Sequence, residues 1–201
     1  MNRPLVLGFL VVAFLTPTSS SPKERDRSDP YLAYSALLRQ TFPDGNFKQM
    51  VVARKTLSQC GVDPRVRFEF RGLLQDTLDD FLSKDKNSIV LEKRFADDLH
   101  VTLIPEEQAN QISLLKDTSV WDRFYELYPK SQGIASFSQI GFSKDFRQAF
   151  VCIKNRSDWR TGMAHLVLLE WEREGWLFKG ALLLWDCDAE TLMALRDKGS
   201  W

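Results

Sequence analysis

Hydrophobic residues recur at helical spacing in three segments of the chain. These segments cover residues 31–38, 73–82 and 121–128, where apolar side chains repeat every three or four positions. That period places the apolar residues on one face of an α-helix. A fourth helix is predicted to begin at Pro105, because proline favours the first helical position and the next two residues are glutamates, which suit the positive end of the helix dipole.

Strand patterns are short before residue 105 and longer after Gly133. The short ones are Met50–Ala53, Arg65–Phe70 and Leu99–Ile104. The longer ones are Ile134–Phe142, Gln148–Lys154, His165–Glu172 and Trp176–Trp185, separated by brief polar breaks. Consecutive strands with short connections favour an antiparallel meander. Along the third of these runs both faces are apolar, which predicts a central strand that is covered on each side.

The order of these patterns predicts an α+β fold, in which N-terminal helices pack on a C-terminal four-stranded antiparallel meander. A cone-like helix-and-sheet fold, of the nuclear-transport-factor kind, is one form of this arrangement by analogy alone.

The N-terminus has the layout of a secretory signal peptide. Arg3 precedes an apolar run from Leu5 to Leu15, and small polar residues follow up to Ser21. The run is too short to span a bilayer, which takes about 20 apolar residues. We interpret residues 1–20 as the signal peptide, 21–30 as a charged disordered spacer and 31–201 as a single globular domain. The mature protein is predicted to be periplasmic or extracellular.

Charge and composition narrow the classes of partner. The chain has 27 basic and 27 acidic side chains, so it lacks the basic field of nucleic-acid-binding proteins. The sequence has no second apolar run of transmembrane length, so no stable membrane insertion is predicted after signal cleavage. No phosphate-binding loop, dinucleotide glycine pattern, nucleophile elbow or metalloprotease motif is present, so no cofactor is predicted. A protein or a small molecule is left as the ligand class.

A series of short motifs runs through the second half of the chain. In order, they are Trp121-x-x-Phe124-Tyr125, Tyr128-Pro129-x-Ser131-Gln132-Gly133-Ile134, Ser138-x-Ile140-Gly141-Phe142, Gln148-Ala149-Phe150-Val151, Leu166-Val167-Leu168-Leu169-Glu170, and Gly175-Trp176 with Trp185. With Asp80-Phe81-Leu82 upstream, this series resembles a family of uncharacterised exported bacterial proteins. The resemblance implies no catalytic residue. This chain departs from the family at two places. Family members have a Gly-rich loop where this chain has residues 156–160, and an aromatic residue where this chain has His165.

Candidate chemistry is sparse. His165 could act as a general base if Asp186 or Asp188 oriented it, although a histidine at the edge of the core is the simpler interpretation. Asp97, Asp98 and His100 are too few for a zinc site and favour a capped turn, so no metal is predicted.

Two further positions have a functional and a structural interpretation. Trp159, between Arg156 and Arg160, either forms a binding loop or packs onto the sheet. Cys60 is interpreted as a loop cysteine or half of a disulfide, because nothing near it in sequence would activate its thiol.

The predicted function is therefore a non-catalytic exported binding or interaction domain. The alternative is a small hydrolase or isomerase with a sheet-lined pocket that uses His165 and a nearby carboxylate. The chain has three cysteines, Cys60, Cys152 and Cys187, so at least one has no intrachain partner. Cys152 and Cys187 are predicted not to bond to each other, because one strand of the meander would separate theirs.

We expect the mature chain to begin at Ser21 and to be found outside the cytoplasm. Mass spectrometry of the N-terminal peptide from the native host checks this, together with cell fractionation. A protein that keeps Met1 and stays in the cytosolic fraction would contradict export.

Overall fold

A computed structural model describes residues 26–43, 47–114 and 117–187 of the chain. The predicted signal peptide, residues 1–20, lies outside these ranges. The α-helices among the described residues are α1 (Pro30–Thr41), α2 (Val66–Glu69), α3 (Gln75–Lys84), α4 (Glu106–Leu114) and α5 (Thr118–Leu127). The strands are β1 (Gln49–Ala53), β2 (Val101–Ile104), β3 (Ser131–Phe137), β4 (Gly141–Phe142), β5 (Gln148–Arg156), β6 (Gly162–Glu172) and β7 (Gly175–Cys187). A short 3-10 helix, Asp97–Leu99, precedes β2.

These strands form one mixed sheet, in the order β2-β1-β3-β5-β6-β7, with β4 paired to β5. Strand β1 is parallel to β2 and β3, whereas β3, β5, β6 and β7 pair antiparallel in sequence order. The predicted fold class, a four-stranded antiparallel meander or its cone-like form, is therefore wrong. The parallel half was missed because parallel neighbours are joined by long crossovers, and such a pairing leaves no local sequence signal.

Helices cover both faces of the sheet. Helix α1 packs on one face, where Tyr34 and Leu37 join a buried cluster with Val52 of β1 and Val167 of β6. Helix α3 covers the opposite face, over a second cluster in β5, β6 and β7. Helices α4 and α5 cover a third cluster that contains the neighbouring residue Val51. Adjacent residues of one strand thus belong to different clusters, because successive side chains point to opposite faces.

Two helices begin at aspartates that follow the usual capping chemistry. The carboxylate of Asp29 accepts a hydrogen bond from the Tyr31 amide at 3.0 Å, and Pro30 occupies the first turn of α1. The carboxylate of Asp117 accepts from the Ser119 amide at 2.9 Å at the start of α5. Each cap satisfies an amide that has no partner within its own helix. The helices predicted around 31–38, 73–82 and 121–128 and after Pro105 are confirmed.

The predicted strand Arg65–Phe70 is wrong, because residues 66–69 form helix α2. Val66 and Phe70 are buried, at 1% and 6% exposure, whereas Phe68 between them is 82% exposed. A strand would place Phe68 on the same buried face as Val66 and Phe70, but Phe68 faces solvent. Burial of residues four positions apart is the helical pattern.

The predicted strand Ile134–Phe142 is interrupted after Phe137. The chain leaves the ladder after Ser138 and returns as β4, which pairs with β5. Gly141 explains the return path, because a Cβ atom at this position would collide with the backbone and Cβ of Phe81 in α3. Helix α3 therefore sits directly on this glycine, and a larger residue would push it away from the sheet.

Strand β7 is the outermost strand on its side among the described residues. It exposes Leu177, Phe178 and Leu183, each at 45%. Lys179 lies between them along the strand and forms ion pairs with Glu170 and Glu172 of β6. In the part of the chain that is described, no helix has the length and apolar character needed to cross a membrane.

We expect Trp176→Ala to lower the free energy of unfolding by about 3–5 kcal/mol, the usual cost of truncating a buried large aromatic. Trp176 is 3% exposed, and its ring lies 5.5 Å from that of Trp171 and 5.7 Å from that of Phe142. Trp159→Ala is the matched control and should cost less, because Trp159 is only partly buried. Urea denaturation measures both. A larger loss for Trp159→Ala would contradict this assignment of the core.

Candidate ligand-binding groove

The β6–β7 hairpin ends in a pair of tryptophans. Trp171 and Trp176 are directly opposite in the ladder, and their rings meet edge to face at 5.5 Å and 84°. In the sequence these two tryptophans flank the tight turn Glu172–Gly175, which predicts a cross-strand aromatic pair, and the structure confirms it. Arg173 forms the tight turn beyond the pair with a φ of 52°, in the left-handed region that favours glycine. The hairpin tip therefore presents a fixed aromatic surface.

Helix α1 lies beside this hairpin and is tied to it by Gln40. The Gln40 Nε2 donates to the Trp176 carbonyl at 3.2 Å, and its Oε1 accepts from the Phe178 amide at 2.6 Å. One side chain thus satisfies two backbone groups of β7. The contact fixes the distance between the helix and the tip of the sheet.

A groove of about 480 Å³ lies between α1, the hairpin and the segment that carries Arg94. Its aromatic lining consists of Tyr31, Trp171 and Trp176, and Ala36 leaves the helix side open. Arg39, Arg94 and Glu174 are the charged residues of its lining. The volume falls within the usual range of small-molecule sites, about 300–1,000 Å³.

Both arginines of the groove are oriented by carboxylates. Arg39 donates to Asp98 through Nε at 3.0 Å and Nη2 at 2.6 Å. This hydrogen-bonded contact lowers the pKa of the Asp98 carboxyl below its ordinary value, so the pair is ionised at neutral pH. Arg94 donates to Asp29 at 3.0 Å. A guanidinium has five N–H donors, so each arginine retains donors beyond those used in these pairs.

Cations also stack on the aromatic lining. The Arg94 guanidinium lies 4.7 Å from the centre of the Tyr31 ring, and that of Arg27 lies 5.5 Å from the centre of a Trp171 ring. The indole N–H groups of Trp171 and Trp176 are buried and have no acceptor among the described residues. The groove therefore combines an aromatic lining with arginine side chains that neighbouring groups hold in place.

A second cavity, of about 590 Å³, lies at the N-terminal ends of β1 and β2. Lys48, Lys93, Asp97 and His100 line it. His100 adopts left-handed backbone angles, with φ 47° and ψ 50°. Asp97 and His100 were candidate metal ligands with Asp98, but Asp98 instead pairs with Arg39. Within the described ranges, no three His, Cys, Asp or Glu side chains are grouped as metal ligands.

The candidate base His165 lies in β6, opposite Ile153 of β5 and Leu183 of β7. Trp171 lies six positions further along the strand, which is about 20 Å. Asp188, one of its two predicted carboxylate partners, lies outside the described residues. The backbone of Asp186, the other partner, pairs with Met163. His165 is therefore remote from the aromatic end of the hairpin.

Trp159 packs against the α4–α5 cluster instead of standing free in its loop. Arg160 stacks on its ring at 4.2 Å, and the Tyr125 hydroxyl donates to the Ser157 carbonyl at 2.7 Å. Burial raises the pKa of the Tyr125 hydroxyl, which stays protonated as this donor. Of the two interpretations of this loop, the structure supports packing.

The residues that form the groove were largely missed at the sequence level. The tryptophan pair was predicted, but nothing placed Arg39, Arg94 or Tyr31 beside it. Arg39 and Arg94 occupy ordinary exposed positions of a helix and a loop. Aromatic and arginine residues on different elements could have been noted as binding types, yet only the fold brings them together.

We expect Gln40→Ala to lower the free energy of unfolding by about 1 kcal/mol, because two backbone groups of β7 lose their partner. The local readout is hydrogen exchange, which should become faster at the Phe178 amide. Gln108→Ala in α4 is the matched control, since Gln108 makes one long contact, 3.5 Å, to the Tyr128 hydroxyl. Unchanged protection of the Phe178 amide in Gln40→Ala would contradict the role of Gln40.

Comparison of the chain with family models, with curated proteins and with solved structures gave no match.

Proposed function

We propose that this chain is an exported, non-catalytic binding domain. Its ligand is a small molecule with a flat apolar body and a carboxylate. The observation that supports this most is the groove between α1 and the hairpin, where Arg39 and Arg94 stand beside an aromatic surface. Export is supported by the basic, apolar and small-residue layout of the N-terminus.

The aromatic lining favours a flat or apolar ligand body. Trp171 is the partly exposed tryptophan of the lining, and its edge-to-face contact with the buried Trp176 fixes its ring before a ligand arrives. A preorganised surface avoids the cost of ordering side chains upon binding. Tryptophan and tyrosine also supply large contact areas for few rotatable bonds, and they are enriched where binding energy is concentrated.

The arginines favour a carboxylate on that ligand. Guanidinium groups bind carboxylates with charge-assisted hydrogen bonds, often two at a time. Arg39 already makes such a bidentate contact with Asp98, through Nε and Nη2. This contact holds the guanidinium in place and leaves its other N–H groups for the carboxylate of a ligand. The side chains of Arg39 and Arg94 are 44% and 52% exposed, which leaves them accessible to a solute.

The hydrolase or isomerase alternative places the reaction at His165. The groove lies about 20 Å from His165 along β6, so the proposed binding site and the alternative catalytic site are at different places in the molecule. They also separate experimentally, since His165→Ala should leave binding in the groove unchanged. An esterase or isomerase activity that disappears in His165→Ala would support the alternative.

We expect aromatic carboxylates, such as benzoate and naphthoate, to bind roughly tenfold more tightly than their neutral amides, a difference of about 1.4 kcal/mol. Saturation-transfer NMR and thermal-shift titration measure the affinities. Arg39→Ala and Arg94→Ala should remove the preference for the acid. Ala36→Tyr should weaken acid and amide alike, because the new ring occupies the groove.

Arg123→Ala is the matched control, since Arg123 is an exposed helical arginine on α5 and does not line the groove. Circular dichroism establishes that each variant is folded. An equal loss of affinity in Arg123→Ala would contradict the proposed site. Protection of the groove by a bound protein, without small-molecule binding, would make the domain a protein-interaction module instead.

A further inference from the structure

Cys60 lies in a loop whose backbone is held by Asp85. Asp85 is buried, with an exposure of 6%. Its carboxylate accepts hydrogen bonds from the Cys60 amide at 3.0 Å and from the Gly61 amide at 3.2 Å. Its carbonyl accepts from the Gln59 amide at 2.7 Å. Gln59 and Gly61 both have positive φ, 57° and 71°. The loop is thus wrapped around one buried carboxyl group, and this fixes the backbone that carries Cys60.

The same loop is attached to the sheet next to Cys152. The Leu57 amide donates to the Phe137 carbonyl at 2.7 Å, and Leu57 pairs with Ser138. Ser138 in turn brackets Cys152, because its hydroxyl accepts from the Cys152 amide and its amide donates to the Cys152 carbonyl, both at 2.9 Å. The loop is therefore attached to Ser138, the residue that is hydrogen-bonded to Cys152 of β5.

The two thiols meet in the cluster beneath α3. Cys152 is fully buried there, and Cys60 packs against the same cluster with a partly exposed side chain. Both side chains therefore lie in one cluster, on a loop and a strand that Ser138 contacts. Interaction with the Cys60 side chain, followed by burial, raises the pKa of the Cys152 thiol well above its ordinary value, so Cys152 is protonated at neutral pH.

We propose that Cys60 and Cys152 are a disulfide-forming pair, which closes by exchange with a disulfide donor of the glutathione or dithiol-oxidase class. The Cys60 thiolate attacks one sulfur of the donor, and the donor releases its first thiol. Cys152 then attacks the Sγ of Cys60 and expels the second donor sulfur as a thiolate, which takes up the Cys152 proton and leaves as a thiol. Two protein thiols are oxidised and one donor disulfide is reduced to two thiols.

The arrangement assigns different roles to the two cysteines. Cys60 is the residue that a reagent can reach, and Cys152 is the buried resolving residue. Cys187 is left as the third thiol. Strand β6 separates the strand of Cys152 from that of Cys187, as its pairing with both strands shows. The pair thus accounts for two of the three cysteines, and it would join the loop before α2 to the centre of the sheet.

The test uses the purified, reduced chain with Cys187→Ser, incubated with oxidised glutathione. The intact mass should fall by two hydrogens, and peptide mapping without reductant should show Cys60 linked to Cys152. Melting temperature provides a second readout, with a rise of up to roughly 10 °C in the oxidised form, since the bond closes a long loop. The same protein, oxidised and reduced, supplies both samples, so no variant effect on folding enters the comparison.

Single-cysteine controls separate the two steps. With Cys152→Ser added, glutathione should remain on Cys60 as a stable mixed disulfide. With Cys60→Ser added, Cys152 should stay unmodified in the folded state and react only after denaturation. The proposal is overturned if the chain with both cysteines also stops at the glutathione adduct, because the two sulfurs would then be unable to join.

Discussion

The central strands of this protein are apolar on both faces, and this constraint shapes the rest of the molecule. Val51 and Val52 in β1, like Leu166 and Val167 in β6, are neighbours that face opposite ways and are both buried. Such a sheet is stable in water only if helices cover each side. Helix α1 covers one side, while α3, α4 and α5 cover the other. The groove exists because α1, in covering its face, extends to the tip of the β6–β7 hairpin.

The sequence predicted those features that depend on local periodicity. The main helices, strands β1 and β2 and the Trp171–Trp176 pair all follow from spacing within one segment. Prediction failed where burial depended on distant partners. Phe68 alternates with two residues that are buried, yet it is exposed because Val66 and Phe70 face α3's cluster at helical spacing. The parallel pairing of β1 is likewise fixed by crossovers and not by its own residues.

The groove was harder to predict than the fold, for the same physical reason. Gln40 and Trp176 are 136 residues apart in sequence and meet only through the packing of α1 on the sheet. The proximity of Cys60 to Cys152 depends on the buried carboxylate of Asp85, whose neighbours in sequence look like a helix end and a polar turn. The groove and the thiol pair also lie on opposite faces, since Trp176 belongs to the cluster under α1 and Cys152 to the cluster under α3. Oxidation of the thiols can therefore stiffen the protein without altering the lining of the groove.

Lys179 has a consequence for solubility as well as for the hairpin. An outer strand with exposed apolar side chains is a template on which another chain can add a strand, which is the first step of aggregation. Lys179 places a charge in the middle of β7 between such residues, and its ion pairs with Glu170 and Glu172 hold that charge in position. A second strand docked along β7 would have to bury this lysine together with its carboxylates. The ion-pair cluster thus acts as a gatekeeper that disfavours the addition of another strand along β7.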